Sequence, residues 1–285
     1  VDVRINGRGP YRFLVDSGAD SSVVGQRVAR ELQLPVGQTA TLHTTTASAV
    51  VTRVVVDELS MGETTVRNLQ LPALREEDMG GDGIIGIDAL VRQRLMMDFE
   101  RRFIKAEDAS RPAEVVNGEI VVTARRRRGQ LILTQVSANG LPLEAVVDTG
   151  SEISVGNLAL RERLVPRNQR DKLLTVTAIG VTGAPLKMEV ARVSEIRVGS
   201  VTLRDVPVAF ADIPPFKLFG MSREPALLLG TDLLATFRRV SLDFQSRRVR
   251  FQLRRCGSTG IVISTVTADP WYSRVASDNA NVCRR

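Results

Sequence analysis

Two stretches of this chain, ending in Asp16-Ser17-Gly18 and Asp148-Thr149-Gly150, follow one plan 132 residues apart. Each begins at a turn, Asn6-Gly7 or Asn139-Gly140, and runs through a strand-like segment, residues 11–15 or 143–147, into its aspartate. After each aspartate come a short apolar stretch, a glycine and a helical pattern that a proline ends. These run from Val24-Gly25 to Pro35 and from Val155-Gly156 to Pro166, both at an offset of 131. Further on, Gly83-Ile84-Ile85-Gly86-Ile87-Asp88-Ala89-Leu90 matches Leu227-Leu228-Leu229-Gly230-Thr231-Asp232-Leu233-Leu234, with Gly86 and Gly230 offset by 144. Met97-Asp98-Phe99 then matches Leu242-Asp243-Phe244 at 145. Four landmarks in one order mean a duplicated unit, and duplication constrains architecture more tightly than local propensity does.

Between the landmarks, short alternating segments such as 52–59 and 189–198 read as strands separated by Gly and Asn turns. The helical patterns place Val28, Leu32 and Leu34, and Leu158, Leu160 and Leu164, on one face each. The chain therefore divides into an N-terminal lobe (1–106), a basic interlobe linker (107–129), a C-terminal lobe (130–255) and a tail (256–285). Each lobe is expected to be mainly β with one or two short helices. The linker is expected to add a strand, 119–124, beneath both lobes, and residues 261–266 of the tail suit another. Val, Leu and Ile carry most of the apolar content, with only 4% aromatic residues, which suits strands packed by branched aliphatics.

Composition narrows the chemistry. His43 is the only histidine and Cys256 and Cys283 the only cysteines, so no zinc cage of His or thiolate ligands is expected. A Ser-His-Asp triad would have to use His43, which has no nucleophile motif beside it. Cys256 and Cys283 are either one tail-closing disulfide or two unpaired thiols. The net charge of +7 keeps acidic partners in view, above all at the run Arg125 to Arg128. That run reads as solvated strand ends rather than a nucleic-acid site, because aromatic stacking platforms are scarce. No apolar run reaches the roughly 18 residues that a membrane span needs, so a soluble chain is expected. The chain starts at Val1 in a strand-like pattern; a leader segment is taken to lie outside it, and a periplasmic or secreted location is expected.

The repeated aspartates are the sharpest chemical feature. Hydrolysis without a metal or covalent intermediate needs one group that takes a proton from water and another that gives one to a carbonyl oxygen. Two carboxyls sharing a proton can do both, since like charges about 3 Å apart do not both ionise easily. Pseudo-twofold symmetry would set Asp16 against Asp148. Ser17 and Thr149 could then hydrogen-bond across to the opposite loop, while Gly18 and Gly150 leave room for close approach. Ser151, which has Ala19 as its counterpart, is expected to donate to the outer oxygen of Asp148 and leave the shared proton mostly on Asp16.

Asp16-Ser17-Gly18-Ala19 and Asp148-Thr149-Gly150-Ser151 resemble the active-site loops of the pepsin-like and retropepsin-like aspartic proteases. Ile84-Ile85-Gly86 and Leu228-Leu229-Gly230 resemble that family's second signature. The resemblance covers roughly residues 3–251. It implies a bilobal acid-protease fold, a single-chain tandem of two retropepsin-like β-barrel lobes of bacterial type. It also implies an aspartic endopeptidase activity at Asp16 and Asp148 that needs no metal or other cofactor. The substrate would be a protein or peptide in extended form, pepstatin-type inhibitors would bind, and the chain would act as a monomeric pseudo-dimer. Two flaps are implied, one at Thr44, Thr45, Thr46, Ala47 and Ser48, the other at Ile179, Gly180, Val181, Thr182 and Gly183, with Gly180 and Gly183 as hinges. Neither carries the tyrosine of pepsin flaps, which favours the retroviral type. The competing readings are a catalytically silent peptide-binding module of the same fold and a basic nucleic-acid-binding protein.

Overall fold

Alternation of buried and exposed residues builds the strands. Along residues 11–15, for example, Tyr11, Phe13 and Val15 are buried while Arg12 and Leu14 face outward, the period-two pattern of a sheet with one face on a core. The fold was obtained as a computed structural model and describes residues 1–114, 116 and 118–254, with the backbone of 261–265 and 275–277. Lobe one runs β1 (Asp2–Ile5), β2 (Arg8–Val15), β3 (Val23–Gly25), α1 (Gln26–Glu31), β4 (Val36–His43), β5 (Ser48–Met61), β6 (Thr64–Leu74), α2 (Glu76–Met79), β7 (Gly83–Ile85), α3 (Ile87–Leu90), β8 (Gln93–Asp98) and β9 (Phe103–Asp108). There follow β10 (Ile120–Arg127), β11 (Gln130–Ala138), β12 (Leu141–Val147), β13 (Val155–Gly156), α4 (Leu158–Leu164), α5 (Arg167–Arg170), β14 (Leu174–Ile179), β15 (Pro185–Val198), β16 (Val201–Phe210), α6 (Pro214–Leu218), β17 (Ala226–Leu229), α7 (Thr231–Leu234), β18 (Arg239–Asp243) and β19 (Arg248–Gln252). The backbone segments β20 (Ile261–Thr265) and β21 (Val275–Ser277) pair with one another, and β20 also pairs with β16.

The duplication is visible in the topology. Lobe one has the strand order β1-β2-β7-β3-β6-β5-β4, closed into a six-stranded barrel by β1 on β5. Lobe two has β11-β12-β17-β13-β16-β15-β14, closed by β11 on β15. A bridging sheet, β10-β19-β18-β8-β9, carries the pseudo-twofold relation, with β8 and β18 antiparallel at its centre. Two pseudo-equivalent ion pairs cross that central seam. Arg239 meets Asp98 at 2.9 Å and Arg94 meets Asp243 at 3.3 Å, with both aspartates buried. One buried cluster continues from Val3 and Ile5 in lobe one through Leu95, Met97, Leu242 and Phe251 to Val198 and Leu203 in lobe two.

The expected alternating segments lie inside β5 and β15, each longer than read because the hairpin arms continue to their turns. The expected linker strand is β10, which pairs with β19 and β11, so much of segment 107–129 is sheet rather than tether. Helices exceed the expected one or two per lobe: three in the first and four in the second. The additional ones, α2, α3, α5, α6 and α7, span four or five residues, too few to show a 3.6-residue period. Helix α1 stops at Glu31, before the expected proline, because Gln33 takes a left-handed conformation at φ 52°. Cys256 and Cys283 lie outside the described residues.

Candidate active site

Strand pairing delivers the two aspartates. Residues 14 and 15 of β2 run parallel to Ile84 and Ile85 of β7, and the N–H of Asp16 donates to Ile85 O at 2.9 Å. In lobe two, Val146 and Val147 of β12 run beside Leu228 and Leu229 of β17, and Asp148 N–H donates to Leu229 O at 3.0 Å. The second signature is therefore the rail along which each aspartate loop leaves its barrel. Apolar residues suit it because Ile84, Ile85, Leu228 and Leu229 are all buried.

Across the pseudo-twofold axis the loops lock together. Ser17 Oγ donates to Val147 O (2.8 Å) and accepts from Thr149 N–H (3.1 Å); Thr149 Oγ1 donates to Val15 O (2.7 Å) and accepts from Ser17 N–H (2.9 Å). Four hydrogen bonds thus tie equivalent atoms of the two lobes. The glycines permit the approach: a Cβ on Gly18 would lie 2.5 Å from Asp148 Cγ, and one on Gly150 would strike Asp16 Cγ.

Within each loop the inner carboxylate oxygen accepts two backbone N–H groups. Asp16 Oδ1 takes Gly18 at 2.7 Å and Ala19 at 3.1 Å; Asp148 Oδ1 takes Gly150 at 2.9 Å and Ser151 at 3.2 Å. Burial pushes both acids above the usual carboxylate value near 3.8. Asp148 stands well above it, through burial first and then the negative charge of Asp16 and the hydrogen bond between the two carboxyls. For Asp16 that mutual bond and the N–H groups of Gly18, Ala19 and Gly150 offset part of the rise. The hydrogen bond expected from the Ser151 hydroxyl to Asp148 is not made: that hydroxyl donates to Ile153 O at 2.7 Å and leaves only the Ser151 N–H for Asp148.

A layer that motif reading missed supports these loops. Asp88 accepts Ser22 Oγ at 2.6 Å, and Ser22 Oγ in turn accepts Gly86 N–H at 2.9 Å. Asp232, Ser154 and Gly230 repeat the arrangement at 2.6 and 2.9 Å. The signal was present in the repeat, since Asp88 and Asp232 hold matching places two residues after Gly86 and Gly230.

The two expected flaps are hairpins, β4 with β5 and β14 with β15. In the first, Thr44 N–H and Oγ1 both donate to Ala47 O, at 2.8 and 3.0 Å. In the second, Gly180 N–H donates to Ala184 O at 3.1 Å. The hairpins meet at their tips: Thr46 Oγ1 occupies the place where a Cβ of Gly180 would stand. Val181 of the second hairpin packs against Val23, Leu74, Met79 and Ile84 of lobe one, together with Leu42 and Val51 of the first. Gly183 needs its left-handed φ of 75°, whereas Gly180 is required by that close contact. His43 pairs with Ser48 Oγ at 2.7 Å in the first hairpin. Arg125 and Arg127 of the basic run both face Glu144, at 3.8 and 3.5 Å, so half of that run is charge-paired. Among the described residues no cluster of His, Cys, Asp or Glu is arranged to hold a metal ion.

Residues 1–92 match the family described as "gag-polyprotein putative aspartyl protease", and residues 134–233 match the family described as "Aspartyl protease". A solved structure, "Crystal structure of a retropepsin-like aspartic protease from Rickettsia conorii", is similar at 18% identity over 47% of this chain and 90% of that one, with a TM-score of 0.35. No curated protein matches the chain.

Proposed function

We propose, from the premise that this chain belongs to the retropepsin-like aspartic proteases with one family match in each lobe, that it is an endopeptidase working through Asp16 and Asp148. The observation that carries the reading is the reciprocal lock of Ser17 and Thr149, which holds two equivalent aspartate loops face to face. In the proposed cycle a water lies between the carboxyls. The ionised carboxylate removes its proton as the oxygen attacks the peptide carbonyl carbon, and the protonated carboxyl gives its proton to the carbonyl oxygen. A proton then passes to the amide nitrogen, the C–N bond breaks, and the carboxyl and amine products leave with the dyad returned to one proton. The substrate would lie extended beneath the two hairpins and pair with them as an added strand. One chain supplies both halves of the site, so a monomer would suffice.

The test is digestion of a proteome-derived peptide library, with cut sites mapped by mass spectrometry. Cleavage that pepstatin blocks, and that Asp16→Asn and Asp148→Asn each abolish, supports the reading. A folded chain that binds peptides and cuts none would make it a binding module instead.

A further inference from the structure

One side chain of lobe two reaches across the site into the aspartate loop of lobe one. The β10–β11 hairpin turns through Arg128 and Gly129, with φ of 51° and 93°. Two successive left-handed residues make a tight two-residue turn. Its tip rests on lobe one, where Gly129 has no Cβ because Ile87 Cγ2 fills that place. The next residue, Gln130, is fully buried. Its Nε2 donates to Gly18 O at 3.2 Å and to Asp20 Oδ1. Gly18 O belongs to the peptide whose N–H, that of Ala19, donates to Asp16 Oδ1. A donor on the carbonyl of a peptide strengthens the N–H of the same peptide as a donor. Among the described residues nothing meets the matching Gly150 carbonyl.

We propose that Gln130 is a positioning residue that reaches from lobe two into the Asp16 loop, polarises the Gly18–Ala19 peptide, and so favours the ionised form of Asp16. Its consequence for catalysis, Asp16 as the base, rests on the reading of these two aspartates as the catalytic pair; the effect on Asp16 itself does not.

The experiment isolates one carboxyl. In Asp148→Asn, which leaves Asp16 to titrate alone, carboxyl-carbon NMR is compared with and without Gln130→Met. Loss of the donor should raise the Asp16 midpoint by about half a pH unit, as expected for weakening one charge-assisted hydrogen bond. An unchanged Asp16 midpoint in folded Gln130→Met overturns the proposal. Should the methionine variant not fold, Gln130→Leu makes the same comparison. No turnover is needed, so absence of proteolysis would defeat the endopeptidase reading without touching this one. If turnover is present, Gln130→Met on the otherwise native chain should move the acid limb of kcat/KM upward by the same amount and leave KM near its native value. A change in KM or melting temperature with the acid limb fixed would mean a merely structural role, against the proposal.

Discussion

Ser17 and Thr149 hold each other through four hydrogen bonds in which each hydroxyl is donor to one strand carbonyl and acceptor of the partner's N–H. Neither lobe completes its own aspartate loop. Ser17→Ala would leave Thr149 N–H and Val147 O without partners, at about 1–3 kcal/mol for each buried group. Thermal melting should fall by roughly 2–4 °C per kcal/mol lost. Thr149→Ser, which keeps the hydroxyl, should stay near wild type. The Ser17→Ala/Thr149→Ala double variant should cost less than the two singles together, because both remove one network; strict additivity would show that the lock is not a unit.

Asp88 and Asp232 anchor Ser22 and Ser154 behind the two loops. A hydrogen bond to a charged group contributes about 1.5–3 kcal/mol, and each aspartate accepts more than one. Asp232→Asn and Asp88→Asn should each lower the unfolding free energy by an amount in or above that range, seen as a lower denaturation midpoint at constant m. A loss confined to activity, with stability unchanged, would contradict a supporting role.

Stability should vary with pH in two opposite senses. Asp148 is held well above 3.8 by burial and by Asp16. Its contribution is complete below the unfolded value and is lost as pH rises through the folded one. Asp148→Asn should therefore melt near wild type in acid and above it at neutral pH. At Asp98 burial pushes the carboxyl up, but the Arg101 N–H and the Arg239 guanidinium outweigh it and hold the group below 3.8. That contribution is present above the unfolded value and is lost as pH falls through the lowered one. Asp98→Asn should melt below wild type at neutral pH, with the gap closing in acid. Melts from about pH 3 to about pH 8 check both signs.

Substrate access should depend on the contact between Thr46 and Gly180. Gly180→Ala sets a methyl where Thr46 Oγ1 now lies, which forces the hairpin tips apart. Steady-state kinetics should show KM rising more than kcat falls, with Thr46→Ala in the same chain relieving the effect. An unchanged KM would mean that the tips do not gate the site.

Much of this was legible because the chain is duplicated. Asp16 and Asp148, the second signatures and the Ser17–Thr149 exchange sit at places that the repeat matches, and symmetry turns matched places into spatial pairing; the hairpin tips followed from the family resemblance instead. What escaped the reading breaks symmetry or depends on a rotamer. Ser151 reads as a donor to Asp148, yet its hydroxyl turns to Ile153 O, a choice no spacing encodes. Gln130 sits in an unremarkable strand start, and only the hairpin tip against Ile87 brings it to Gly18. Asp98 and Asp243 were visible as a repeat, but their partners Arg239 and Arg94 were not, because the antiparallel crossing of β8 and β18 sets who meets whom. The one-turn helices carry no period to read.

The central claim is that Asp16 and Asp148 share one proton, and carboxyl-carbon NMR titration of the wild-type chain tests it most directly. The account predicts two linked steps, with the later one well above the usual carboxylate range and carried mainly by Asp148. It also predicts that Asp16→Asn lowers the Asp148 midpoint by removing the neighbouring charge. Two carboxyls that titrate independently near 3.8, with Asp148 indifferent to Asp16→Asn, would contradict it.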